Sequence, residues 1–368
     1  MKQYNYNNPL HIQEALIAAS KRKVDAQNAE VEQIVITSNE QSTQQLPFTR
    51  LLFFEFKKYI ETSTYEIPGL EIIFIPSDEC QYTIKNNVLH INDYNDKEVN
   101  VDLVAESSTT VVYAKAGYLL NNITYLLNKF VEHNFIVLND PRKIIISSDK
   151  YLTAKMLSEY NISQPNYVLF EYDDCIGDDS ITSSFEKKLK PIYGNLKDEN
   201  KYICKILDGH GGSGVFMCNR KNILSILQCM FSIDRYRQIL VQQKLTIKDG
   251  DIRVYVLSYN GKQEIVASIT RKKADDDFRT NISLGSTFEN FELTKKQEEF
   301  AKNVAAQSGL IFCGVDMCID EETNKLYVIE LNGAPGAPVA IGLQPEENHR
   351  QHSEYYIEFT NKLIDIFK

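Results

Sequence analysis

Residues 311–319 alternate in character and are rich in β-branched and apolar side chains, residues 325–331 do the same, and the polar run Glu321-Glu322-Thr323-Asn324 lies between them. No other stretch restricts the fold of this chain as strongly, because the pattern predicts an antiparallel hairpin. Thr323, inside the turn, is the midpoint between Asp316 and Glu330, so the two carboxylates are expected as cross-strand neighbours. Asn332, two residues past Glu330, projects from the same face because strand side chains alternate. Three oxygen donors on one face suit magnesium, which takes oxygen ligands at about 2.0–2.1 Å and keeps places for water or phosphate. Asp316, Glu330 and Asn332 are therefore the candidate metal ligands, in a half-filled shell that a nucleotide would complete. Gly333-Ala334-Pro335-Gly336 then ends the strand in a turn where backbone can approach a ligand. The competing reading is a solvated hairpin with two surface acids.

A second constraint lies upstream. Residues 202–207 read as an apolar strand carrying Lys205, followed by Asp208-Gly209-His210-Gly211-Gly212-Ser213-Gly214-Val215. Four glycines in six positions let successive N–H groups turn toward one anion, and Lys205 adds a point charge. No Gly-Lys-Ser/Thr follows, and a strand comes next, so the loop is a hairpin flap suited to a triphosphate and not a Walker A motif. A plain glycine-rich hairpin turn has the same composition. His210 sits in this loop, either as a phosphate or substrate contact or as an exposed side chain.

With both motifs in place, about 200 residues, from Val137-Leu138-Asn139-Asp140-Pro141 through Ser148-Asp149-Lys150 and Ile162-Ser163-Gln164-Pro165 to Gly336, resemble the ATP-grasp ligases. Within them the chain is most similar to the RimK-type carboxylate-amine ligases. The resemblance implies an α+β fold in which two subdomains clasp ATP, preceded by a small α/β domain. It further implies an ADP-forming enzyme that activates a carboxylate as an acyl phosphate for attack by an amine, with two magnesium ions and manganese able to substitute. Lys150 and Lys205 then correspond to the two ATP-contacting lysines, and Gly209, Gly211, Gly212, Ser213 and Gly214 to the phosphate flap. Gln242-Gln243-Lys244-Leu245 resembles the hinge whose backbone recognises the adenine edge; the family commonly has a glutamate at the place of Gln243 and an aromatic residue at that of Lys244. Asp251 and Arg253 resemble the strand after the hinge, with ribose or metal-side contacts for the former and anionic oxygens for the latter; a surface ion pair is the alternative. Arg271 resembles the arginine that steadies the transferred phosphoryl group. Asp277-Phe278-Arg279-Thr280-Asn281 brings Arg279 and Asn281 to the same centre. Where the family shows paired glycines, Gly285 is here followed by Ser286.

The resemblance implies addition of an amino acid such as glutamate to a protein or peptide, so carboxylate and amine substrates of amino-acid, peptide or protein origin are expected. An alternative is an ATP-grasp macrocyclase that closes side-chain ester or amide rings in a ribosomally made precursor. A third reading is a small-molecule kinase on the same fold.

Composition sets outer limits. The 368 residues, 43% of them apolar, suffice for two or three domains. Forty Lys and Arg against fifty Asp and Glu give a net charge of −10, which argues against a nucleic-acid or anionic-membrane surface. No apolar run approaches the roughly 20 residues of a membrane span, and the polar start is no signal peptide, so a cytoplasmic protein is expected. Seven scattered cysteines show no metal-ligand spacing and read as free thiols. Homo-oligomerisation is left open. The expected organisation is an N-terminal helical extension over 1–32 with a possible partner role, a pre-ATP-grasp α/β domain over 33–138, a central subdomain over 139–240, a C-terminal subdomain over 241–345 and a terminal helix over 346–368. In the third of these blocks, residues 173–201 read as loop plus helix. Later, Thr294 and Gln297 form a capping box opening a helix that Gly309 stops.

Overall fold

The structure, a computed structural model, describes residues 33–38, 71–76, 81–92, 98–103, 111–115, 121–175, 180–209, 211–247, 250–272, 287–336 and 338, with scattered positions between 354 and 366. The N-terminal helical extension expected over residues 1–32, His210, and the loop bearing Arg279 and Asn281 lie outside them. The chain divides into two compact units, residues 1–141 with 345–365, and residues 142–344 with 366–368.

In the first unit, strands β1 (Gln33–Ser38), β2 (Glu71–Pro76), β6 (Val111–Lys115) and β7 (Ile136–Leu138) form an all-parallel sheet in the order β2-β1-β6-β7. Sequence reading, which places strands near residues 33–37, 71–75 and 110–114 within the expected α/β domain, anticipated the first three of these. It did not mark the antiparallel sheet of β3 (Gln81–Lys85), β4 (Val88–Asn92) and β5 (Glu98–Asp102). The Asn86-Asn87 turn between β3 and β4 has both residues at positive φ, which asparagine tolerates better than most residues. Helix α1 (Asn121–Glu132) buries Leu126, Leu127 and Phe130 completely.

The second unit begins in helix α2 (Pro141–Ser148) and continues with α3 (Lys150–Glu159), for which Asp149 is the N-cap: its carboxylate accepts from the N–H groups of Tyr151 and Leu152. An antiparallel sheet follows in the order β10-β9-β11-β8, built from β8 (Tyr167–Phe170), β9 (Lys201–Ile206), β10 (Val215–Asn219) and β11 (Ile239–Gln243). Helices α4 (Ser180–Tyr193) and α5 (Ile223–Ile233) close its core, where Phe170, Tyr202, Leu227, Phe231 and Val241 are buried. The stretch before α4 includes a short 3-10 turn, Tyr172–Cys175.

A second antiparallel sheet has the order β14-β13-β12-β15-β16, from β12 (Asp251–Tyr259), β13 (Lys262–Lys272), β14 (Thr287–Asn290), β15 (Phe312–Asp320) and β16 (Lys325–Asn332). Helix α6 (Lys295–Ser308) packs on it through Ala301, Val304 and Ala305, against Val254, Val315, Met317 and Val328. The capping box at Thr294 forms, and Gly309 ends the helix in the left-handed region. The alternation in Asp-Ile-Arg-Val on β12 and Gly-Val-Asp-Met on β15 thus sorts the sheet: valines and methionine toward α6, charged residues on the opposite face. No helix among the described residues is long and apolar enough to cross a membrane.

Candidate active site

The charged face of the second sheet carries the site. Asp316 lies opposite Glu330 in the β15–β16 ladder, and Gly314 lies opposite Asn332. The pairing deduced from the turn is present, but the turn alone does not produce it. It sets Asp320 opposite Lys325 and Met317 opposite Val328, a register that would face Asp316 with Ile329. A bulge at this point absorbs Ile329 and brings Glu330 opposite Asp316, while Val328 and Leu331 stay in the core.

Asp316 is 1% exposed, and its carboxylate is held from two sides. Arg253 donates from Nε to Oδ1 at 2.6 Å and from Nη2 to Oδ2 at 2.7 Å, and Arg271 Nη2 lies 2.8 Å from Oδ2. Asn332 Nδ2 also donates to Oδ2, at 3.4 Å. Burial pushes the Asp316 carboxyl up, but the two guanidinium groups more than offset this and hold it below the usual carboxylate range. Asp251, equally buried, accepts from Arg271 Nε at 2.9 Å and from its Nη2. Two expectations change here. Asp251 and Arg253 are not a surface ion pair: each is paired across the ladder with a residue of a neighbouring strand. Asp251 also has both oxygens on Arg271, where the resemblance implies ribose or metal-side contacts.

The three candidate ligands are gathered on one ribbon, the two carboxylates in ion-paired form. Glu330 Oε1 is 3.4 Å from Lys150 Nζ, as Asp316 is engaged by its arginines. Among the described residues no cluster of three or more Asp, Glu, His or Cys side chains is arranged to hold a metal. The donor set of two carboxylates and one amide oxygen is nevertheless of the hard kind that magnesium takes. It fits the ion if Asp316 yields one guanidinium contact and the Asn332 amide turns its oxygen, in place of Nδ2, toward Asp316.

Lys150 and Lys205 face the same cleft, which Ser147, Gln164, Gln242 and Glu330 also line. The N–H of Lys150 donates to Leu207 O at 3.1 Å and its Nζ to Gly209 O, so the start of α3 is fastened to the root of the flap. Lys205 sits in the middle of its sheet, opposite Val215 of β10 and Leu240 of β11. Burial lowers its pKa most, Glu330 works against this and Lys150 adds to it, for a net value of about 8. The flap turns through Gly211, Gly212 and Gly214, all at positive φ, and a Cβ at Gly214 would lie 2.4 Å from the Ile206 side chain. At Gly209 a Cβ would meet Ser213 O at 2.5 Å. These glycines are required by the backbone path whatever they bind.

The hinge differs from expectation in detail. Gln242 is buried, the N–H of Gln243 donates to Asn166 O at 2.8 Å, and that of Lys244 donates to Lys201 O at 3.2 Å. Both donors continue the protein's own hydrogen-bonding and are not offered to an adenine edge. Leu245 is buried and accepts from Lys244 Nζ. Sequence reading passed over the next contact. Thr246 N–H donates to the buried Asp320 carboxylate at 3.0 Å, Glu321 N–H donates to Thr246 O at 2.9 Å, and Thr246 Oγ1 donates to Glu322 at 3.0 Å. The only signal was an aspartate ending a strand before a turn, where its side chain also takes the N–H and hydroxyl of Thr323.

Comparison with solved structures defines the class: the fold is that of the ATP-grasp ligases. The chain superposes on the ATP-grasp ligase PsnB, solved with a phosphomimetic variant of a minimal precursor, Mg and ADP, at a TM-score of 0.58 and 14% identity, over 93% of this chain and all of that one. It superposes on D-alanyl-alanine synthetase A of Vibrio cholerae at 0.56 and 14%, over 92% of this chain and all of that one. Residues 147–341 match the RimK-like ATP-grasp domain, and the chain belongs to that family. A probable alpha-L-glutamate ligase of Histophilus somni is 29% identical over 213 residues, 57% of this chain and 64% of that protein. The match thus spans less than two thirds of that relative's length.

Proposed function

We propose that this protein is an ADP-forming ligase that activates a carboxylate as an acyl phosphate and joins it to an amine, adding an amino acid such as glutamate to a peptide or protein. The observation that carries this reading is the convergence of Lys150, Lys205 and Glu330 on one cleft, with Asp316 set opposite Glu330 and flanked by Arg271. ATP is consumed as a substrate. The carboxylate oxygen bonds to the terminal phosphorus as the bond to ADP breaks. The amine nitrogen then bonds to the acyl carbon, phosphate departs with the electrons of its C–O bond, and the nitrogen loses a proton. The first step brings an anion against a polyanion, so its barrier is largely electrostatic and fixed cations lower it. Lys150, Lys205 and Arg271 supply these, with Arg279 and Asn281 assigned to the same centre by resemblance. Asp316, Glu330 and Asn332 would hold magnesium, which neutralises charge developing on the phosphates. Holding the amine against the acyl carbon contributes several kcal/mol more.

Incubation with ATP, magnesium and a panel of amino acids and peptides is expected to release ADP and phosphate with an amide product, and Glu330→Ala to abolish both. Release of AMP would refute the acyl phosphate. Mass spectrometry identifies the acceptor chemistry: gain of an amino-acid residue supports ligation, loss of water would assign ring closure in a precursor peptide, and a stable phosphomonoester would assign a kinase.

A further inference from the structure

We propose that Asp251 is a positioning residue for the reaction: it grips one edge of the Arg271 guanidinium and thereby sets the direction in which that cation faces Asp316 and the reacting phosphoryl group. The inference rests on the function proposed above and goes beyond it, since Asp251 makes its contribution without touching nucleotide.

The geometry is specific. Asp251 and Arg271 are directly opposite in the β12–β13 ladder. Asp251 takes Nε and Nη2, which is the bidentate fork arrangement that fixes a guanidinium in plane as well as in place. Nη2 alone continues to Asp316. The backbone of Arg271 is held as closely as its head group: Gly250 has φ +97, and a Cβ there would lie 1.9 Å from Arg271 O. Gly250 and Asp251 therefore clamp the two ends of one arginine, and the glycine is the residue that lets the strand lie so near.

Competition explains why a second carboxylate is needed. Asp316 already receives both Nε and Nη2 of Arg253. Among the described residues Asp316 is the other carboxylate paired with Arg271, and without Asp251 the fork would turn onto it. The arginine would then be withdrawn from the phosphoryl group, and the candidate metal ligand would be covered by two forks instead of one and a half. Stability does not account for the arrangement, because buried ion pairs are often no more stabilising than apolar side chains of the same volume. Four buried or nearly buried charges alternating across three strands are better explained by a requirement on orientation.

Two measurements test this. In Asp251→Asn, kcat for ADP formation is expected to fall at least 100-fold while the KM for ATP stays within about 3-fold. In an Arg271→Met background, Asp251→Asn should cost nothing further, since it acts only through that arginine. A rise of 10-fold or more in ATP KM with kcat retained would show direct nucleotide contact and overturn the proposal, as would additive losses in the double variant. Normal kcat per folded molecule with a lowered Tm would leave only a structural role and overturn it too. The second readout needs no turnover. In protein labelled with 15N-arginine, the Arg271 Nε–H correlation, identified by its loss in Arg271→Lys, is expected as a slowly exchanging signal that Asp251→Asn removes. Persistence of that signal in Asp251→Asn sinks the positioning role even if the wild type proves inactive with every substrate, whereas its loss supports it. Failure of the wild type to form ADP with any substrate would count against the proposed reaction and not against this contact.

Discussion

Among single residues, Lys205 shows most directly how a site built for anions costs the protein stability. Its ammonium is held at a pKa of about 8 by burial, partly relieved by Glu330 and reinforced by Lys150, whereas an unfolded lysine titrates near 10.5. Between these values the unfolded chain binds more protons than the folded one, so unfolding free energy rises with pH across that window. Below pH 8 the full penalty applies. Because the residue is half-buried, we expect Lys205→Met to stabilise the nucleotide-free protein by about 1–2 kcal/mol at pH 7, and the difference from wild type to vanish near pH 10.5. Urea unfolding of the two proteins at several pH values checks this. The same variant is expected to weaken ATP binding at least 10-fold at pH 7 by titration calorimetry. Wild-type binding near pH 8.5 should take up a proton, seen as a dependence of the apparent enthalpy on the buffer's ionisation enthalpy.

At the scale of elements, the flap offers a controlled comparison. Gly214 and Gly261 both have positive φ, +67 and +80, so alanine at either is strained by roughly 1–2 kcal/mol. A Cβ at Gly261 meets nothing within 4 Å, while one at Gly214 displaces Ile206, the neighbour of Lys205. Gly214→Ala is therefore expected to lower ATP affinity about 10-fold and Gly261→Ala to leave it unchanged, with the larger loss in Tm at Gly214, where the clash with Ile206 adds to the strain that both share. What was legible in the sequence follows from the range of the interactions involved. The β15–β16 ribbon, the Thr294 capping box and the Gly309 stop are local and were readable. Asn260-Gly261 between β12 and β13, with both residues at positive φ, was a hairpin signal of equal quality that went unused. The bulge at Ile329 was not readable, because a one-residue shift depends on which neighbours fill the core beneath it. Nor was the engagement of Asp251 and Asp316 by arginines from adjacent strands, which depends on strand order. For the same reason the hinge donors at Gln243 and Lys244 looked available, although Asn166 and Lys201 already occupy them.

At the scale of the whole molecule, residues 142–344 supply every described side chain assigned to the site, from Lys150 on α3 to Asn332 on β16. Binding to the folded form alone stabilises it by about 2.7 kcal/mol at a ligand concentration 100 times Kd. ATP with magnesium is thus expected to raise Tm and to slow amide exchange at the start of α3, in β9 with its flap, and along β15 and β16. Hydrogen-exchange mass spectrometry reads these segments separately, and protection confined to other regions would contradict the assigned site. The protection should disappear in Glu330→Ala. The tie between Thr246 and the tip of the ribbon has a mechanical consequence. Asp320 and Glu321 moor the segment leaving β11 to the far end of the lever whose near end bears Glu330 and Asn332. A tilt at either end is therefore felt at the other, so the segment leaving β11 and the carboxylate-bearing ribbon are yoked to one another.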